Sequence, residues 1–122
     1  MQGMDKMTDS FQNTKSIILQ PGSNVTRTFT FAPCSSVTAN DGSIPYGVTI
    51  GSAAVKAFAK DGTDSTTDLI VSSSATTLVV SVRLKYPVTG GAGRYSLEIV
   101  LTFSDGETEE YDFNRVYAMD IV

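Results

Sequence analysis

Histidine and tryptophan are both missing from the chain, and cysteine occurs once. Without histidine the commonest general base, the commonest zinc ligand and the usual pH switch all go. Ser-His-Asp and Cys-His arrangements go with them, and no Gly-x-Ser-x-Gly elbow is present. Cys34 has no second thiol to pair with, so the fold does not depend on an oxidising compartment. Its neighbours Pro33, Ser35 and Ser36 supply neither a base nor a positive charge, so it reads as a small packed or loop thiol. Basic residues are also scarce: 9 Lys and Arg stand against 13 Asp and Glu, a net charge of -4. Duplex binding needs clustered cations to neutralise phosphate, so the balance argues against a duplex-binding module, and no nucleic-acid partner is expected. Long apolar runs are absent as well. Ile17–Leu19 and Leu78–Val80 fall far short of a membrane span, and residues 1–14 lack the apolar stretch of a signal peptide. The expectation is a protein made in the cytoplasm, with no export signal and no membrane partner. On that expectation the acceptor pattern Asn24-Val25-Thr26 is a chance match.

What the chain does have is size, apolar content and alternation. Its 122 residues, 41% of them hydrophobic, suffice for one domain with a real core. Ser and Thr make up about a quarter of the residues and Val and Ile are frequent, a mixture that suits pleated strands. Seven strand-like runs are predicted: Lys15–Gln20, Val25–Phe31, Tyr46–Lys60, Leu69–Val71, Thr77–Tyr86, Tyr95–Phe103 and about Thr108–Tyr117. In the fifth, Leu78, Val80, Val82, Leu84 and Tyr86 alternate with polar residues. In the sixth, Tyr95, Leu97, Ile99, Leu101 and Phe103 do the same. Such period-two patterns put one face on a core and the other in water. The four alanines within residues 51–60 are the best case for a helix, but the flanking strand pattern and Asp61-Gly62 favour a strand ending in a turn. Asp105-Gly106 predicts a tight antiparallel hairpin between the last two strands, Asp61-Gly62 a turn of the same type, and Pro21-Gly22 a stop after the first strand.

Three segments lie outside the strands. Residues 1–14 form an N-terminal arm, in which Met4, Met7 and Phe11 share the spacing of one helical stripe. Residues 32–44 form a long polar loop, and residues 87–94, with Gly90, Gly91 and Gly93, a flexible crossover. Strands without intervening helices, joined by turns, give an all-β fold: a single antiparallel sandwich of about seven strands over residues 15–122, preceded by the arm.

Gly93-Arg94-Tyr95-Ser96-Leu97-Glu98-Ile99, followed by Ser104-Asp105-Gly106-Glu107 and a last strand, is similar to the end of immunoglobulin-like domains. Tyr95 matches the tyrosine-corner position, and Leu97 stands where an antibody domain has its second cysteine. The absence of Trp and of a disulfide pair departs from antibody domains and fits bacterial and phage modules. A longer stretch, about residues 46–118, resembles small structural proteins of tailed bacteriophages. It is carried by Gly51-Ser52-Ala53-Ala54-Val55, Asp61-Gly62-Thr63-Asp64, Val82-Arg83-Leu84-Lys85-Tyr86-Pro87 and Asp112-Phe113-Asn114-Arg115-Val116-Tyr117. The resemblance implies a virion protein: a head decoration, a head–tail connector or a fibre-associated piece. Its partners would be capsid, portal or tail subunits and further copies of itself.

Candidate chemistry is thin. Asp61, Asp64 and Asp68 lie close enough to suggest a calcium loop, but Gly62 follows the first Asp directly and no Glu closes the pattern, so they read as turn carboxylates. Glu107, Glu109 and Glu110 follow the hairpin turn without implying an acid–base pair. Gly90-Gly91-Ala92-Gly93 lacks the Lys and the helix of a phosphate cradle. Phe29, Phe31, Tyr95 and Phe103 run in phase with buried faces, while Tyr46, Tyr86 and Tyr117 near strand ends are the candidates for exposed stacking platforms. No catalytic, cofactor-binding or metal residue is assigned and no cofactor is expected. The chain reads as a non-enzymatic structural component of a bacteriophage virion acting through protein–protein contacts. The alternative is a bacterial surface module of immunoglobulin-like fold that binds glycans. In the first reading the last strand, with Tyr111, Phe113, Val116 and Tyr117, is a candidate sheet edge for a neighbour to complete.

Overall fold

The computed structural model describes residues 15–120. Within them the chain runs β1 (Ile17–Leu19), β2 (Asn24–Thr30), β3 (Ile50–Ala59), α1 (Thr66–Leu69), β4 (Ile70–Ala75), β5 (Val79–Lys85), β6 (Gly93–Phe103) and β7 (Thr108–Ala118). The strands make two sheets, one in the order β1-β7-β6-β3 and the other in the order β2-β5-β4. The fold is therefore an all-β sandwich of seven strands, with β2, β5 and β4 on one sheet and β1, β7, β6 and β3 on the other. The arm expected over residues 1–14 lies outside the described residues.

Alternation decides which side chains meet between the sheets. Tyr95, Leu97, Ile99, Leu101 and Phe103 of β6 are all buried, as are Val80, Val82 and Leu84 of β5. Phe29 from β2 meets Phe113 from β7 edge to face at 5.3 Å between ring centres, tying the two sheets at mid-core. Filling a two-sheet core with interdigitating β-branched, Leu and Phe side chains supplies the main drive to fold.

Between the named strands, pairing is antiparallel except at one edge. β1 runs parallel to β7, Ile17 opposite Val116 and Leu19 opposite Ala118, a three-residue exception within the expected antiparallel sandwich. Both Ile17 and Leu19 are buried, so the strand is held by burial as much as by its short ladder. β7 is accordingly flanked by β1 over residues 116–118 and is not the simple outer edge that the sequence suggested.

Turn chemistry follows the sequence with one refinement. Glycines 62 and 106 sit at φ +92° each, and no residue other than glycine adopts a positive φ among those described. Both turns are three-residue loops: Gly62 N–H donates to the Ala59 carbonyl as Gly106 N–H does to that of Phe103. Asp61 and Asp105 lock them, each accepting a hydrogen bond from the backbone N–H two residues on, at 2.9 and 3.0 Å. The third strand begins only at Ile50, because Gly47 at φ +83° interrupts the extended run from Tyr46. α1 is a single turn with no sequence signal beyond Asp64, whose carboxylate accepts from Thr66 N–H.

Candidate functional site

The crossover between β5 and β6 is tied down from both sides, and the expectation of flexibility there is corrected by its bonds. Tyr95 is buried, and its hydroxyl donates to the Gly91 carbonyl four residues upstream at 2.9 Å, which is the tyrosine corner. From the other side Asp68, at the end of α1, accepts N–H bonds from Thr89 (3.0 Å) and Gly90 (2.8 Å). Burial pushes the Asp68 carboxyl up, but the backbone N–H groups of Thr89, Gly90 and Val88 outweigh it and hold its pKa below the ordinary value. Burial, and then the Asp68 charge, push the Tyr95 phenol the opposite way, upward. Glycine at position 90 leaves room for this bond: a Cβ there would lie 2.3 Å from the Tyr95 hydroxyl and would displace it.

Beside this corner lies an open cleft of 370 Å³ lined by Thr63, Asp64, Ser65, Thr67, Asp68, Thr89 and Gly90. It contains two of the three carboxylates that the sequence placed in a calcium-like run. The structure does not converge them on one point. Asp61 accepts from Thr63 and Asp64 from Thr66, and those bonds lower both carboxyl pKa values. Each of the three stiffens its own loop.

A different acidic group does converge. Glu98 of β6 stands opposite Asp112 of β7 and beside Glu110, on the outer face of the four-stranded sheet. One carboxylate oxygen from each lies within 4.8 Å of the others, the one such group among the described residues with the reach to hold a metal ion. Burial, and then the Glu110 charge, raise the Glu98 pKa, while Lys56, its partner on β3, pulls it back. Sequence reading missed this trio because its members come from two strands, and only the β6–β7 register brings them together. Of the glutamates grouped by the sequence, Glu110 joins it, while Glu109 pairs with Leu101 on the other face.

The long loop over residues 32–44 is folded on itself. Cys34 N–H donates to the Ile44 carbonyl, and Asp41 accepts from both the N–H and the hydroxyl of Ser35, which lowers its pKa. Ile44 is buried and Tyr111 donates to the Ser43 carbonyl, so the loop is pinned to both core and β7. Cys34 is half-buried with its thiol directed to the Gly42 carbonyl at 3.6 Å. Burial, and then Glu109, push the Tyr111 phenol up to about 12. Of the aromatic candidates for a stacking platform, Tyr46 is 55% exposed, whereas Tyr86 and Tyr117 are half-buried.

No buried side-chain nitrogen or oxygen among the described residues lacks a hydrogen-bond partner. No helix among them is long and apolar enough to cross a membrane. No protein-family model matches the chain, and a search of curated proteins returns no significant relative.

Proposed function

We propose that this chain is a non-enzymatic structural protein that works through protein–protein contacts, and that its setting is a bacteriophage particle. The observation that carries the contact role is the three-stranded sheet, whose outer strands β2 and β4 have no strand neighbour on one side among the described residues. A sheet edge offers backbone donors and acceptors in register, the chemistry by which one β protein adds to another. Loops pinned by Asp68, Tyr95 and Asp41 make the block stiff, so little order is lost when it docks. The particle setting is supported by the likeness of residues 46–118 to small structural proteins of tailed phages, and an acidic chain suits an outer surface better than contact with packaged DNA. Mass spectrometry of purified virions made from the genome that encodes the chain is the test. Stoichiometric presence at a multiple of the particle symmetry is expected, and absence from mature virions overturns the setting.

A second reading, glycan binding, is favoured by the hydroxyl- and carboxylate-lined cleft at Thr63, Ser65, Thr67, Thr89 and Asp64. A glycan array separates the two, since a purely structural subunit gives no saturable sugar binding.

A further inference from the structure

Sheet edges are liabilities that folds ordinarily defend, and this molecule defends its edges unequally. The β3 edge is covered by the chain that follows it: Ala59 N–H donates to Thr63, Ser65 N–H to Ala57, and Ile50 N–H to Thr77. The Thr66 hydroxyl takes the Ala57 N–H. On β2, hydrogen-bonded pairing alternates down from Phe31 and Leu78, so the backbone groups of Thr26 and Thr28 point outward. There the Arg27 guanidinium folds back and donates to the Thr26 carbonyl at 3.0 Å, capping an outward acceptor with a charge.

β4 has none of these devices. Its sequence, Ile-Val-Ser-Ser-Ser-Ala, contains no charge and no proline. The hairpin to β5 closes with Thr76 N–H on the Val79 carbonyl, so Ser74 and Ser72 turn their backbone groups toward β5. By the same alternation Ser73 and Ala75 direct theirs away from the sheet, where no described residue receives them. Ser72, Ser73 and Ser74 are exposed, and Val71 is 48% exposed beside them.

We infer that β4 is a pairing edge for a second copy of this chain, joined antiparallel to itself in a two-fold dimer. This rests on the contact-protein reading above and names the partner and the strand. The occupant follows from charge and shape. Two copies of a chain with net charge -4 repel, and they approach best along a strip that carries no charge. β4 is also its own complement. Run antiparallel about Ser74, it sets Ser73 against Ala75 twice and makes about four backbone hydrogen bonds. The side chains at the seam are Ser and Ala, too small to clash, and Val71 gains cover at its ends. The result is a continuous six-stranded sheet, β2-β5-β4 and its symmetry mate, with the Arg83 and Thr faces of both copies on one side. A seam this short buries less than the roughly 1,200 Å² of a standard interface, so the dimer is weak and reversible, with a Kd on the order of 100 µM.

Sedimentation equilibrium on the purified full chain, from about 20 µM to about 1 mM, tests this around the expected Kd. Wild type should rise from 13.0 kDa toward twice that mass. Ser73→Pro removes an outward N–H that the sandwich does not use, and it should stay monomeric with a native circular-dichroism spectrum. Ser73→Lys keeps the backbone intact and sets like charges across the axis, so it carries the test if the proline variant fails to fold. Thr28→Pro, on the β2 edge, should dimerise like wild type. Amide exchange at Ser73 and Ala75 should slow about fourfold from the lowest to the highest concentration, as the free monomer falls from roughly three quarters to roughly a fifth of the chains. A mass fixed at 13.0 kDa up to the highest concentration overturns the proposal, as does dimerisation of both Ser73 variants or its loss in Thr28→Pro. The purified chain needs no virion, so failure here leaves the particle test standing, and absence from particles leaves this one standing.

Discussion

The corner at the β5–β6 crossover offers a quantitative test, because two side chains from different elements hold the same loop. Asp68 takes two backbone N–H groups and Tyr95 gives its hydroxyl to Gly91 within the same few residues. Hydrogen bonds to a charged acceptor are worth about 1.5–3 kcal/mol each when buried. Thr89 and Gly90 are exposed, so water replaces part of what Asp68→Ala removes, and a total loss of about 1–2 kcal/mol is expected. Tyr95→Phe leaves the half-buried Gly91 carbonyl without its donor, at a cost of about 1–1.5 kcal/mol. Once either tie is gone the loop loosens and the other holds less, so the double variant should lose about 0.5–1 kcal/mol less than the sum. Urea unfolding of the four proteins at fixed pH, read at constant slope, measures the cycle. Gly90→Ala should reproduce the Tyr95→Phe loss, since its Cβ displaces the hydroxyl. Strict additivity, or a Tyr95→Phe variant as stable as wild type, would refute the idea that the two side chains share one restraint.

Acid should weaken the fold through the same residue. A carboxyl held below its ordinary value of 3.8 contributes stability at neutral pH that is lost as pH falls through and below that value, so Asp68→Ala should flatten the acid limb of a melting-temperature profile. Glu98 has the opposite sign: its raised pKa means that the charged form is disfavoured in the fold. Glu98→Gln should therefore stabilise at pH 7 by about 0.5 kcal/mol after solvent screening, a gain that fades on acidification as wild-type Glu98 takes up its proton. Tyr111 bears on the alkaline limb: raised from 10.0 to about 12, it favours folding while neutral, so stability should fall as pH climbs between those values. Tyr111→Phe should remove that slope in alkaline unfolding curves and cost about 1 kcal/mol at neutral pH through the lost bond to Ser43.

Strands whose alternation runs long were readable from the residues alone. β5, β6 and β7 lie where Leu, Val, Ile and Tyr alternate with polar neighbours, and the Asp-Gly turns fall where expected. β4 was seen only as Leu69–Val71, because a run of serines carries little strand preference of its own, and pairing with β5 extends the strand to Ala75. The tyrosine corner could be read from position, yet Asp68 as its second tie could not, since the contact spans 22 residues of sequence. Glu98, Glu110 and Asp112 were illegible for the same reason: a one-residue register shift between β6 and β7, such as the bulge near Tyr95 produces, would send them to different faces.

The pairing of β1 with β7 joins the beginning of the described chain to its end. On a ribosome, Ile17 and Leu19 must wait with their apolar side chains uncovered until Val116 and Ala118 have been made, since nothing earlier offers that ladder. Closure of the sandwich is thus a late event that waits for the chain through β7. Loss of a few residues from β7 would leave both the first and the last strand of the sandwich unfastened.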